Sequence, residues 1–137
     1  MVKQKIISKY LGIPYKNNGR SMEGLDCWGL IKLIYKDMGY DLFDLEEGYD
    51  MDWSKKGKNY FIDNYHKDWT QYKTPKFLDV VLFKNGKDIV NHAGIFLDSN
   101  RFMHTCKAGT VISRLSDARW ENKLEGFYRL KKGLSCL

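Results

Sequence analysis

Apolar positions in this chain change their spacing once, past its middle, and that change separates a helical part from a strand part. Ile6, Ile7, Tyr10 and Leu11 fall at i, i+1, i+4 and i+5, one face of a short helix over residues 3–11. Gly12 can end it, and Pro14 reinforces the stop. Residues 16–25 are rich in Asn, Gly and Ser and read as a loop. Cys27, Leu30, Ile31, Ile34, Tyr35 and Met38 then recur at three- and four-residue intervals. They predict a strongly amphipathic helix, with Asp26 at its N-cap and Gly39 as its stop.

Residues 40–76 carry the weakest pattern. An acidic stretch (Asp41, Asp44, Glu46, Glu47, Asp50, Asp52) precedes a basic and aromatic one. Phe61, Ile62, Tyr65 and Trp69 can share one side of a helix over residues 54–69, a wall or lid beside the main core. From residue 77 the period is that of strands. Residues 77–83 read as a buried strand followed by the tight-turn pair Asn85-Gly86. Residues 90–97 and 101–106 read as a hairpin closed by Asp98-Ser99-Asn100. Residues 109–113 form a further strand, residues 116–120 a short helix capped by Ser116 or Asp117, and residues 125–130 a last strand. Helices first and an antiparallel meander after them make an α+β layout.

At 137 residues the chain is expected to be one domain, residues 1–137, with a hydrophobic share of 43% that is ample for a core. Its longest apolar run, residues 93–97, is far short of the ~20 needed to span a membrane. The first residues are basic but lack the apolar centre of a signal peptide, so no export signal is expected and synthesis is expected in the cytoplasm. Lys plus Arg number 23 and Asp plus Glu 17, a net charge of +6 that favours anionic partners. The cations are scattered, and the densest group is Lys55-Lys56-Gly57-Lys58. There is no Arg-rich arm, zinc-finger spacing or RNA-binding aromatic motif, so nucleic acid is not the expected partner. An anionic cell wall fits the charge, as does plain solubility.

Three cysteines, Cys27, Cys106 and Cys136, form no complete disulfide framework and no Cys-x-x-Cys pair. Cys27 lies in the first turn of its helix, where unpaired N–H groups and the helix dipole favour a thiolate. The chain has three histidines, His66, His92 and His104. His92 and His104 fall on the same hairpin face if the loop is odd, because pairing 97 with 101 makes residue i face 198 − i. A two-residue loop without a bulge would separate them. A nucleophile on a helix end, a base on a strand and a polar group beside that base have the logic of a cysteine hydrolase. Here Cys27 would attack, His92 would act as base and His104 would orient it. A metal site on the same three residues, or two ordinary polar residues on an exposed face, fits the spacing as well. His66 is assigned to solvent or packing, and Cys106 to a buried neighbour of His104.

The motifs add a resemblance. Tyr10-Leu11-Gly12-Ile13-Pro14-Tyr15, then Gly24-Leu25-Asp26-Cys27-Trp28-Gly29-Leu30, is similar to the nucleophile region of the NlpC-type cell-wall cysteine peptidases. Asp79-Val80-Val81-Leu82-Phe83, His92-Ala93-Gly94-Ile95-Phe96, Arg101-Phe102-Met103-His104 and the stretch from Val111 to Asp117 with Trp120 follow in that family's order. Residues of about 40–75 are not covered and read as a family-variable insertion. The resemblance implies a papain-like α+β fold without cofactor or metal. It implies hydrolysis of peptidoglycan stem peptides, at the bond between γ-D-glutamate and the diamino acid. It carries the nucleophile to Cys27, the base to His92 and the third polar role to His104. It places Tyr15 on the active-site wall and gives Asp26 a part in holding the substrate's free amine, beside its role as N-cap. Where many secreted members have Ser after the nucleophile, this chain has Trp28, a bulky wall or a core residue. The Asp-Cys-Trp-Gly form resembles the branch found in phage tail assembly proteins. That implies other tail proteins as partners and delivery to the wall by a particle. A related amidase acting on another wall amide and a non-catalytic tail-tip protein are the alternatives.

Overall fold

The computed structural model describes residues 2–42, 69–84 and 89–131. Residues 54–68 of the helix expected over 54–69, the Asn85-Gly86 turn, His66 and Cys136 lie outside them. Trp69, assigned to the end of that helix, instead opens a strand.

The first helix, α1 (Val2–Tyr10), buries Ile6, Ile7 and Tyr10, three of the four residues its period selects. A two-stranded ribbon, β1 (Arg20–Ser21) and β2 (Gly24–Leu25), lies within the segment read as loop. It leads into α2 (Cys27–Asp37). Asp26 caps α2, accepting from the Gly29 N–H at 2.8 Å. At its far end the Met38 and Gly39 N–H groups return to carbonyls of the last turn. The loop before the ribbon packs so tightly on the first turn that a Cβ on Gly29 would stand 2.0 Å from the Gly19 carbonyl oxygen. No larger residue fits there without moving the backbone beside Cys27.

Among the described residues six strands follow: β3 (Trp69–Tyr72), β4 (Val80–Lys84), β5 (Val90–Asp98), β6 (Arg101–Cys106), β7 (Gly109–Arg114) and, after the short α3 (Ala118–Glu121), β8 (Leu124–Leu130). They form one antiparallel sheet in the order β3-β8-β4-β5-β6-β7. The meander β4 to β7 is local, as its pattern predicts. The last strand inserts between β3 and β4, a pairing of distant segments that no local pattern carries.

Alternation divides the strand residues between two apolar layers. Val80, Leu82, Ala93, Ile95, Leu97 and Met103 face α1 and α2 and join Trp28, Leu30, Ile31, Ile34 and Tyr35. Val81, Phe83, Phe96 and Phe102 face the other way and are covered by Leu115, Trp120, Leu124 and Phe127. Each fully buried side chain of this size stabilises the fold by about 1.5–3 kcal/mol.

Between residues 77 and 80 the chain makes a tight entry into β4, with Leu78 in the left-handed region at φ 78°. Its carbonyl accepts from the Tyr35 hydroxyl of α2. Asp79, 1% exposed, accepts two hydrogen bonds from Arg129 of β8, at 2.8 and 2.7 Å, and one from the Lys76 N–H. Arg129 lies 3.8 Å over the Tyr72 ring of β3. The pair, buried at its Asp79 end, thus fastens the entry of β4 to β8 and β3. Removing one partner of such a pair costs about 3–5 kcal/mol.

Candidate active site

Asp26 sets the geometry of the helix end. Its Oδ1 accepts from Gly29 N–H and from Arg20 at 2.7 Å, and its Oδ2 from the Asn18 N–H at 3.0 Å. The carboxylate is 4% exposed, so these three donors replace the water it has lost. The result locks the ribbon, the loop and the first turn of α2 around Cys27, the first helical residue.

His92 and His104 meet across the hairpin. Ile95 pairs with Met103 and Phe96 with Phe102, the register in which paired residues sum to 198. The closure differs from the expected three-residue loop. Asp98 pairs with Arg101 around Ser99 and Asn100, and a register shift between Phe96 and Asp98 absorbs Leu97. A bulge in a two-residue turn restores the parity that the turn alone would break. Past Ile95 and Met103, side chains link the two strands. His92 Nε2 and His104 Nδ1 are 2.7 Å apart, with rings nearly perpendicular. His104 Nε2 is 2.8 Å from the Ser113 Oγ of β7. These two facing nitrogens are occupied by one another, so they do not converge on a common metal position. Trp120 stacks on His92 with 20° between planes and stands edge-on to His104.

Cys27 and His92 line one cleft of about 420 Å³, with Tyr15, Asp26 and Trp120 on its walls and Lys84, Lys107 and Lys123 around it. With His92 Nε2 bonded to His104, Nδ1 is the ring nitrogen left for a partner in the cleft.

The electrostatics correct one expectation. Burial opposes the thiolate that the helix end favours at Cys27. Burial, then the Asp26 charge, pushes the thiol up to about 12, against backbone hydrogen bonds from Ala93 and Trp28 and the Arg20 charge, which lower it. Desolvation outweighs the dipole here. His92 is pushed down to about 3 by burial, by His104 and by Lys123. His104 is pushed down to about 4 by burial and by Arg119. Burial, Asp26 and Cys27 raise the Tyr15 phenol, so it stays a donor. These shifts all favour the uncharged forms, a neutral thiol beside neutral imidazoles.

The sequence model of the NlpC/P60 family matches residues 12–129. The chain belongs to the NlpC/P60 family. It is 29% identical over 109 residues to a gamma-D-glutamyl-L-lysine dipeptidyl-peptidase of Bacillus subtilis, covering 78% of this chain and 32% of that protein. It is 23% identical over 128 residues to the tail tip assembly protein K of Escherichia phage lambda, covering 90% of this chain and 63% of that protein. The chain thus spans about a third of the first relative's length and less than two thirds of the second's. Among solved structures, an NLP/P60 lipoprotein-like protein of Staphylococcus aureus superposes with a TM-score of 0.70 at 22% identity, covering 96% of this chain and 41% of that one. The NlpC/p60 domain of the peptidoglycan hydrolase SagA gives 0.62 at 17% identity, covering 94% and 97%. The fold is the papain-like α+β fold of these NlpC/P60 structures.

Within this NlpC/P60 chain, Tyr15, Asp26, Cys27 and His92 line the same cleft, and His104 stands behind His92 at 1% exposure. Trp28 is elsewhere. It is 1% exposed in the helix-side core and is not among the residues lining the cleft, so it packs the fold instead of walling the substrate. Its place on the helix explains this, since Trp28 joins the buried face formed with Ile31 and Tyr35. Sequence reasoning missed Ser113 and the stacking role of Trp120. Ser113 had a readable signal. Cys106 pairs with Gly109 around a two-residue turn, so His104 faces Val111 and Ser113 is its same-face diagonal neighbour.

Proposed function

We propose that this protein is a cysteine endopeptidase that hydrolyses peptidoglycan stem peptides at the γ-D-glutamyl–diamino acid bond. The observation carrying this reading is Cys27 on the α2 N-terminus sharing a cleft with His92, whose Nε2 is hydrogen-bonded to His104 behind it. Family membership and the dipeptidyl-peptidase relative supply the substrate class.

In this mechanism Cys27 Sγ attacks the scissile carbonyl as its proton passes to His92 Nδ1. A tetrahedral oxyanion forms, held by the Cys27 N–H at the helix end and the Tyr15 hydroxyl. The C–N bond breaks as His92 returns the proton to the leaving amine, leaving a thioester on Cys27. Water then attacks the thioester, His92 takes its proton, and collapse of the second tetrahedral adduct expels the thiolate, which is reprotonated. The shifts of Cys27 and His92 both oppose this proton transfer at rest, so the path requires bound substrate to bring the two groups into play. Asp26, on the cleft wall, is the acidic group placed to face the substrate's free amine. The likeness to the lambda tail protein supports a place for the chain in a phage tail, with other tail proteins as partners.

Digestion of defined muropeptides followed by mass spectrometry tests the reading. The expected products end in γ-D-glutamate. Cys27→Ala and His92→Ala abolish them, and His104→Ala leaves partial turnover. Turnover by Cys27→Ala at the wild-type rate rejects the assignment. Release of the intact stem from the sugar identifies an amidase instead. The upward shift of the Cys27 thiol favours a second reading, a tail-tip protein that keeps the fold without turnover. No product from any muropeptide, together with the chain's presence in purified virions, selects that reading.

A further inference from the structure

We propose that Ser113 is a positioning residue that holds the histidine pair in the one tautomer able to accept the thiol proton. This rests on the cysteine-hydrolase reading above. The argument begins with a weakness of His104 as third member. A carboxylate or amide oxygen in that place can only accept from the base, but a neutral imidazole nitrogen can accept or donate. Across the 2.7 Å contact between His92 Nε2 and His104 Nδ1, one nitrogen must carry the hydrogen and the other must not.

Only one arrangement is productive. For His92 Nδ1 to take the Cys27 proton it must be bare, so the hydrogen of His92 sits on Nε2 and is donated to His104 Nδ1. Neutral His104 must then carry its hydrogen on Nε2. That N–H points at the Ser113 Oγ, 2.8 Å away. In the opposite arrangement His104 Nδ1–H donates to His92 Nε2, and the hydrogen of His92 lies on Nδ1, where it blocks the thiol.

The Ser113 hydroxyl can accept from an Nε2–H or donate to a bare Nε2. Without it the productive form alone would leave a buried N–H with no acceptor, so its presence shifts the balance toward that form. His104 is 1% exposed, so its Nε2–H has no solvent to fall back on and requires a protein acceptor. Ser113 is half-buried, so its own O–H can turn to water while Oγ accepts. Burial and the nearby Arg119 charge keep His104 neutral, which leaves its Nδ1 lone pair available. The relay then runs in one direction, from the Cys27 thiol to His92, from His92 to His104, and from His104 to Ser113.

The test compares wild type, Ser113→Ala and Ser113→Thr in two measurements. In ¹⁵N spectra of the histidine rings at neutral pH, wild type should show His92 and His104 both protonated on Nε2 and bare on Nδ1. Ser113→Ala should shift His104, and His92 with it, toward the Nδ1–H form. Ser113→Thr, which retains Oγ, should restore the wild-type pattern. On muropeptides, Ser113→Ala should lower kcat by about tenfold or more with KM within about twofold, and threonine should recover most of it. A purely structural serine would alter stability without moving the tautomer. Wild-type His104 protonated on Nδ1, or a Ser113→Ala pattern identical to wild type, overturns the proposal. If wild type cleaves no muropeptide, the hydrolase reading falls, and the nitrogen spectra decide the tautomer role of Ser113 by themselves.

Discussion

Gly94 lies on the same strand face as His92, directly beside His104. A Cβ built on it would stand 3.1 Å from the His104 Cβ and 2.9 Å from the Met103 carbonyl oxygen. The histidine rings meet across β5 and β6 because the residue between them has no side chain. Gly94→Ala must push β6 away at this point, since backbone is the nearest obstacle. Overpacking of this kind costs about 1–3 kcal/mol, and a displacement near 1 Å at a catalytic group costs about 10²-fold in rate. The expected result is a folded variant with a lower Tm and kcat reduced about 10- to 100-fold. Thermal melts and steady-state kinetics on a muropeptide measure both. A variant with wild-type kcat would mean that the close approach is not needed.

The two imidazoles also predict how stability follows pH. His92 and His104 are held down to about 3 and about 4 in the folded protein, against about 6.5 in an unfolded chain. Between those values the unfolded chain binds protons that the folded chain refuses. Stability from this source is full above pH ~6.5 and is lost as pH falls toward ~4. The slope is at most ~1.4 kcal/mol per pH unit for each histidine, and less where solvent reaches half-buried His92. Melting curves from about pH 8 to about pH 4 should show a falling Tm. The slope should flatten in His92→Gln and flatten further when His104→Gln is added. Equal slopes in wild type and the double variant would show that neither histidine is held neutral.

Much of this site was legible because it rests on local rules. Helical spacing places Cys27 in the first turn of α2, Asp26 is a capping residue at the position a cap requires, and pleat parity puts His92 beside His104. What escaped needed information that no local window holds. The insertion of β8 between β3 and β4 joins Asp79 to Arg129, fifty positions away. The state of the Cys27 thiol depends on how deeply the first turn is buried, and the dipole argument considers the helix alone. Trp28 follows Cys27 in sequence, yet one step around a helix is about 100°. That rotation takes its ring from the cleft side into the core.

Cys27 chemistry offers a direct check on the balance of charges. At neutral pH the half-buried thiol, shifted upward, should alkylate slowly with iodoacetamide, with a rate that climbs with pH, because only the thiolate reacts. Asp26 opposes the thiolate and Arg20 favours it. Asp26→Asn keeps an oxygen to cap Gly29 and removes the charge, so alkylation should speed up by about threefold or more. Arg20→Gln should slow it by a similar factor. Peptide mass analysis separates Cys27 from Cys106 and Cys136. A rapid reaction with a plateau already reached near pH 7 would mean that the thiolate exists at rest.

The cleft itself carries a net positive field among the described residues. Lys84, Lys107 and Lys123 line it, and the carboxylate lining it, Asp26, is already paired with Arg20. Lys123 acts on His92 and Arg119 on His104, both as repelling cations. Such a cleft suits a substrate bearing carboxylates close to the scissile bond, and a γ-linked D-glutamate presents a free α-carboxylate there. Stem peptides with that carboxylate free should therefore be cleaved with higher kcat/KM than their amidated counterparts. The advantage should shrink as salt rises, since these lysines are partly or fully exposed. Exposed ion pairs contribute ~0.2–1 kcal/mol, so Lys107→Gln and Lys123→Gln should each raise KM for the acidic substrate by about 1.5- to 5-fold, with little change for the amidated one. Lys123→Gln should also relieve the repulsion on His92 and move the acid limb of the rate profile to higher pH, a shift that Lys107→Gln should not produce. Equal kcat/KM for the acidic and amidated peptides at low salt would remove the electrostatic basis for this preference.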